Sequence, residues 1–189
     1  MKNYFFINQV HSNSILRVSR LDKKTNKRRA DGLISTDCVS LAIKTADCIP
    51  LLLCNPKNHS IAAIHVGWRG LVSGIIPKII KKISQGNSLE SILVAIGPHI
   101  GVCCYTVPSQ RLEYFTSYIK KENTVQRKKH KNVYLDIGKV AMMQLEMMGI
   151  RRSQIDLLPY CTSCDSRFNS YRRDGPDCPR MISMIENTT

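Results

Sequence analysis

The chain has 189 residues, 43% of them hydrophobic and 22% charged, with a formal net charge of +14. That length fits one domain over residues 1–189 with a substantial buried core, and the composition excludes a disordered or fibrous chain. Apolar runs such as Ile49 to Cys54 are too short to cross a bilayer, and no basic start leads into a signal segment, so the expectation is a cytoplasmic protein with no membrane partner.

The elements follow in chain order. Tyr4 to Ile7 and Val39 to Lys44 have the apolar or alternating character of strands. Pro50 to Cys54, then Asn55 to Asn58, then Ile61 to His65 read as strand, turn and strand, with the Asn-Pro step supplying the turn. Gly70 to Ser84 has helical spacing of Leu71, Ile75, Ile79 and Ile83, and Pro77 should kink that helix or move its start later. Ile92 to Ile96 is a short buried strand, and Pro108 to Tyr118 a helix. Asp136 can cap a further helix carrying Val140, Met143, Met147 and Met148, where methionine is core filler rather than ligand. Ile155 to Leu158 and Met181 to Ile185 close the chain as strands around a Ser170 to Gly175 loop. Strands and helices mix without strict alternation, which gives an α+β class.

The positive charge concentrates in two runs, Lys23 to Arg29 and Arg127 to Lys131. They read as solvated loops. Neither is interleaved with aromatics, so a dedicated nucleic-acid partner is not expected, although a basic nucleic-acid-binding module is the non-enzymatic alternative. Eight cysteines do not make a disulfide framework in a chain of this kind. Cys38, Cys48 and Cys54 sit in or beside apolar stretches, as small buried hydrophobes do. Cys161 and Cys164 have the spacing of half a zinc or redox pair. No second spaced pair stands elsewhere, since Cys103 and Cys104 are adjacent and Cys178 is alone; a structural zinc knot is not expected.

The most informative residues are His11, Cys48 and His65. They lie in the phrases Gln9-Val10-His11-Ser12, Thr45-Ala46-Asp47-Cys48 and His65-Val66-Gly67-Trp68-Arg69-Gly70. Two imidazoles and a thiolate suit zinc, and three protein ligands leave a coordination position open, as catalytic zinc requires. A strand-turn-strand unit between Cys48 and His65 would return the chain to its start and make those two neighbours. The same ligand set does not exclude copper, but a multicopper oxidase would need more histidines than the five present.

These phrases, together with Ala30-Asp31-Gly32, Ile96-Gly97-Pro98, Cys104-Tyr105 and Ser170-Tyr171-Arg172-Arg173-Asp174-Gly175, run in order through nearly the whole chain. In them the sequence resembles the YfiH/YlmD-type laccase-domain family, also labelled multicopper polyphenol oxidases or purine nucleoside phosphorylases. The resemblance implies a layered α/β/β/α arrangement with mixed, largely antiparallel sheets, a fold shared with cysteine-dependent toxin deamidases of the CNF type. It implies that His11, Cys48 and His65 are metal ligands, with zinc favoured over copper, and that Arg173, directly before Asp-Gly, lies at the active site with Arg172 beside it. Purine nucleosides and phosphate are the implied substrates; the chain would act as a monomer or homo-oligomer. Relatives carry some tens of residues before the Gln-Val-His phrase, so an exposed sheet edge, an incomplete nucleoside pocket or a pocket completed by another subunit is a further expectation.

Asp47 would share the site only if the backbone turns there; it could then orient a histidine, face a substrate hydroxyl or serve as a simple turn carboxylate. Arg69, at a helix start, could hold a phosphate. Two reactions suit these parts: phosphorolysis of adenosine, inosine, guanosine or methylthioadenosine, with Asp47, Arg69 and Arg173 assisting, and deamination of adenosine by a metal-activated water. Asp47 and His99 are candidate proton carriers. A rival is a cysteine hydrolase or amidase acting on peptidoglycan precursors, with Cys48 as nucleophile and His65 as base.

Overall fold

The computed structural model describes residues 4–22, 25–86, 88–121, 126–129 and 132–188, with residues 121 and 126–129 as backbone alone. Lys23, Lys24, His130 and Lys131 of the two basic runs lie outside the described residues.

The chain begins with β1 (Tyr4–Phe5), β2 (Ile15–Arg17), β3 (Gly32–Ser35) and β4 (Ser40–Thr45). The hairpin expected from the Asn-Pro turn is β5 (Ile49–Asn55) and β6 (Ser60–Val66), joined by a 3-10 turn over Pro56–Asn58. Asn55 caps that turn by accepting the Lys57 amide, and His59 leaves it in the left-handed region at φ 54°. The predicted helix from Gly70 is two helices, α1 (Trp68–Val72) and α2 (Ile75–Ser84). The break falls at Gly74, with φ 75°, so Pro77 sits in the first turn of α2, where its missing N–H has no partner to lose.

Next come β7 (Leu93–Ile96), β8 (Thr106–Val107), α3 (Thr116–Lys121), β9 (Gln126–Lys129), β10 (Asn132–Leu135), α4 (Ile137–Met147), β11 (Ile155–Leu157), α5 (Tyr171–Asp174) and β12 (Met181–Glu186). The predicted Pro108 helix is mostly a 3-10 segment, Ser109–Phe115, followed by α3. Asp136 caps α4 as expected, accepting from the Lys139 amide at 2.8 Å. Ser170 to Gly175 is the short helix α5 rather than a loop, with the Ser170 side chain accepting the Arg173 amide.

A six-stranded sheet has the order β11-β7-β5-β6-β3-β2, a three-stranded sheet the order β1-β4-β12, and a small one the order β8-β10-β9. Antiparallel pairings dominate; β1 with β4, β2 with β3 and β11 with β7 run parallel. One core lies where α1, α2 and α4 cover the larger sheet, built from residues such as Leu51, Ile64, Ile76, Ile79 and Val140. A second lies between the two main sheets, built from Phe5, Leu33, Leu41, Ile43 and Ala63. Because β5 and β6 are buried on both faces, they read as unbroken apolar runs rather than as alternation. The arrangement is the layered, largely antiparallel α+β fold.

None of the eight cysteines is in a disulfide. Cys38 is exposed, contrary to its reading as a buried hydrophobe, because it sits in the bend between β3 and β4. Met147 is also exposed, at the end of α4, while Met143 faces the core.

Candidate metal centre and its cavity

His65 lies near the end of β6 and Cys48 just before β5; the antiparallel register pairs Pro50 with His65 and Ile49 with Val66. The hairpin therefore returns the chain to the level of Cys48, as the sequence spacing anticipated. His11 arrives from the segment between β1 and β2. The ligand atoms of His11, Cys48 and His65 all lie within 4.8 Å of one another. Cys48 Sγ is 4.0 Å from His11 Nε2, and the two imidazoles meet edge to face with centroids 4.8 Å apart.

Asp31 organises this cluster and was not singled out from the sequence. It precedes β3, whose Gly32 pairs with Ile64, so it stands opposite His65. The His65 amide donates to the Asp31 carbonyl at 2.7 Å, and His65 Nδ1 lies 2.8 Å from Asp31 Oδ1. With Nδ1 engaged, Nε2 is the nitrogen left to face the cluster. The same carboxylate accepts from the His11 amide at 2.9 Å and from the Ser12 amide and hydroxyl at 2.6 and 2.8 Å. These bonds hold His11 in the left-handed region, at φ 58°. Gln9 clips the same segment to β4, exchanging hydrogen bonds with the Lys44 backbone at 2.7 and 2.8 Å.

The electrostatics follow. Burial alone would raise the Asp31 pKa, but the hydrogen bonds from His65 and Ser12 outweigh it and hold the carboxyl at about 2. For Cys48, burial again opposes ionisation, and contact with His11 and His65 brings the thiol down to about 7. Burial lowers His65, but Asp31 and Cys48 more than compensate and lift it to about 9.

The donor set fits a thiophilic divalent ion. It offers an ionisable sulfur and two imidazoles, one of them oriented by a carboxylate, as metal-binding histidines are. Gly67 leaves the necessary room, since a Cβ there would stand 3.1 Å from Cys48 Sγ and 3.2 Å from His11 Cδ2. His59 is in the turn at the far end of the hairpin and His99 lines a different cavity, so neither joins this cluster.

The cluster forms part of the wall of a cavity of about 900 Å³. Lys44, Arg111, Arg172 and Arg180 contribute cations to that wall, and Asp47 is its one acidic residue among the described residues. Trp68, Tyr105 and Tyr171 add aromatic surface. Arg111 stacks on Trp68, its Cζ 4.5 Å from the ring centroid.

Asp47 is at the cavity, and the backbone does turn there, with φ 82°. Its carboxylate is already engaged, accepting from the Thr162 hydroxyl at 2.7 Å and the Arg172 amide at 2.6 Å. Arg172 lies in the wall, its guanidinium held by the Cys104 carbonyl and by Thr106. Two predicted arginines are elsewhere. Arg69 packs over Trp68 at 4.7 Å and does not line the cavity. Arg173 turns away and ties its own loop together, bonding to Asp174 and to the carbonyls of Thr162 and Phe168. Tyr171 and Arg172 line the cavity from the start of α5, while the bonds to Asp174, Thr162 and Phe168 draw the Arg173 side chain to the other side.

Comparison with known proteins gives a consistent result. The family described as multi-copper polyphenol oxidoreductase laccase matches residues 1–188. A purine nucleoside phosphorylase of Clostridium acetobutylicum is 32% identical over 98% of this chain and 77% of its own length. The purine nucleoside phosphorylase YlmD of Geobacillus stearothermophilus is 31% identical over 94% of this chain and 69% of its own. The crystal structure of YlmD from Geobacillus stearothermophilus superposes with a TM-score of 0.90, covering 100% of this chain and 74% of that one at 29% identity.

Proposed function

The chain belongs to the multi-copper polyphenol oxidoreductase laccase family, and from that premise we propose that it is a zinc-dependent purine nucleoside phosphorylase. The observation that carries this reading is the cavity itself: a His11, Cys48 and His65 cluster beside four cations, one engaged carboxylate and three aromatic rings. A multicopper oxidation is not supported, because His59 and His99 stand apart from the cluster. The relatives' shared name supplies the reaction.

His11, Cys48 and His65 would hold the ion, which when bound supplies positive charge and an open coordination position. Arg111 and Arg172 bind and orient phosphate as fixed positive forks. Arg172 is aimed by Thr106 and the Cys104 carbonyl, and Asp47 secures the start of α5 that carries it. Asp47 thus acts as a positioning residue, with Arg69 and Arg173 bracing Trp68 and the α5 loop. Tyr105 and Tyr171 offer aromatic surface for a purine ring, while the Trp68 ring carries Arg69 and Arg111. A phosphate oxygen bonds to the anomeric carbon as the carbon–nitrogen bond to the base breaks, giving ribose-1-phosphate and the free base.

A second reading rests on the Cys48 thiol at about 7, His65 at about 9 and Asp31 behind it, the layout of a cysteine nucleophile with an oriented base. It requires the thiolate to be free of metal.

The test incubates purified protein with adenosine, with and without phosphate, and resolves products by chromatography. Adenine and ribose-1-phosphate, formed only with phosphate and lost in His65→Ala, support phosphorolysis. Inosine in phosphate-free buffer assigns the site to deamination. No turnover of any purine nucleoside by zinc-loaded protein overturns the proposal and leaves the thiol reading.

A further inference from the structure

We infer that Cys103, Cys104, Cys161 and Cys164 form a second metal site, a four-sulfur centre for a zinc-class ion. It stands apart from the His11–Cys48–His65 cluster and does not depend on the reaction proposed for that cavity. The sequence argued against it because Cys161 and Cys164 lacked a spaced partner pair. The fold supplies one.

β7 and β11 run parallel, and the chain leaving each continues side by side. His99 bridges to Cys161, its amide meeting the Tyr160 carbonyl at 3.3 Å, while the Thr162 amide returns to the His99 carbonyl at 3.1 Å. This places the Gly101 to Cys104 turn against the Cys161 to Cys164 turn. All four sulfurs then lie within 4.8 Å of one another. Cys164 Sγ is 3.4 Å from Cys103 Sγ and 3.2 Å from Cys104 Sγ. A tetrahedral zinc with bonds of about 2.3 Å spaces its sulfurs about 3.8 Å apart, which falls inside that range; a disulfide would need about 2.05 Å.

Two details point to a bound cation rather than to four idle thiols. Cys161 Sγ accepts the Gly101 amide at 3.2 Å, a bond that crosses from one turn to the other. An N–H aimed at that sulfur from the facing turn favours the thiolate over the thiol. Gly101 also lacks a Cβ where one would press on Cys103 Sγ at 3.2 Å and on Cys161 Cβ at 3.3 Å. Sulfur-only ligation selects thiophilic ions, and binding would release the thiol protons to solvent.

The centre would fasten two loops that build the cavity. The Cys104 carbonyl holds Arg172, and Thr162 holds Asp47. An ion joining these turns would therefore fix both residues from behind.

The test counts zinc per chain by plasma mass spectrometry after loading and desalting. Wild type should carry two ions, His65→Ala one, and Cys161→Ser/Cys164→Ser one. Cobalt-loaded His65→Ala should show the intense sulfur-to-cobalt charge-transfer absorption of a thiolate centre. Should the double variant not fold, alkylation of the native chain decides. In zinc-loaded protein the four cysteines should be protected together and become reactive together when a chelator is added. Free alkylation of all four in zinc-loaded protein, a Cys104–Cys164 disulfide in that preparation, or unchanged zinc content in the folded double variant would overturn the inference.

Discussion

Asp31 Oδ1 stands 2.8 Å from His65 Nδ1, and the same carboxylate receives the backbone amides of Val10, His11 and Ser12. One fully buried acid thus orients one imidazole directly and places the other through its backbone. Removing its charge should disturb the cluster at both ends.

Asp31→Asn should therefore lose metal affinity by about 10–100-fold, the usual cost of losing a histidine's carboxylate partner. The carboxyl sits at about 2 against an ordinary 3.8, a difference worth about 2 kcal/mol. Because the folded value is depressed, that contribution is complete above about pH 4 and lost as pH falls towards 2. Thermal unfolding should show the variant about 4–8 °C less stable than wild type at neutral pH, with the gap narrowing in acid. A gap that stays constant from pH 7 to pH 3 and below contradicts the assignment.

Gly67→Ala adds one methyl group where Cys48 Sγ and His11 Cδ2 already stand at 3.1 and 3.2 Å. The backbone there, φ −90° and ψ 175°, accepts alanine. Crowding of about 1–3 kcal/mol should thus appear as weaker zinc retention during dialysis, with circular dichroism unchanged. Full retention would show that the site has slack.

In zinc-stripped protein, Cys48 should react with iodoacetamide with an apparent pKa of about 7, and His65→Ala should move the profile upward, towards an ordinary thiol. The sign follows from pairing: the imidazolium favours the thiolate, so its loss disfavours ionisation. Zinc should suppress the reaction at every pH. An unchanged profile in His65→Ala would mean that the two groups do not interact.

The hairpin that joins Cys48 to His65 was legible, because Asn55 and Pro56 mark the turn and the flanking runs are apolar. The convergence of His11, Cys48 and His65, the proposed ligands, was legible because each sits in a tight local phrase. Asp31 and the cysteine quartet were not. Their roles come from pairing between β3 and β6 and between β7 and β11, and no local period reports such neighbours. β2 and β3 escaped notice for a related reason: they are short, and β3 is buried on both faces, so neither alternates. Arg172 and Arg173 show the limit of a motif, which names adjacent cations without saying which one faces the cavity.

That distinction is itself testable. Arg111→Ala and Arg172→Ala each remove a cavity-lining fork and should raise KM for phosphate roughly 10–100-fold, the worth of a charge-assisted hydrogen bond. Arg173→Ala should leave KM for phosphate near wild type and lower Tm instead, since its guanidinium bonds only within the loop around α5. Steady-state kinetics with varied phosphate separate the two outcomes.

The most direct test of the central assignment is an anomalous-difference map from zinc-loaded crystals, recorded on both sides of the zinc absorption edge. A peak should stand bonded to His11 Nε2, Cys48 Sγ and His65 Nε2, open towards the cavity that Arg111 and Arg172 line. Loaded crystals with no peak among those three atoms, and the side chains turned apart, would contradict the assignment.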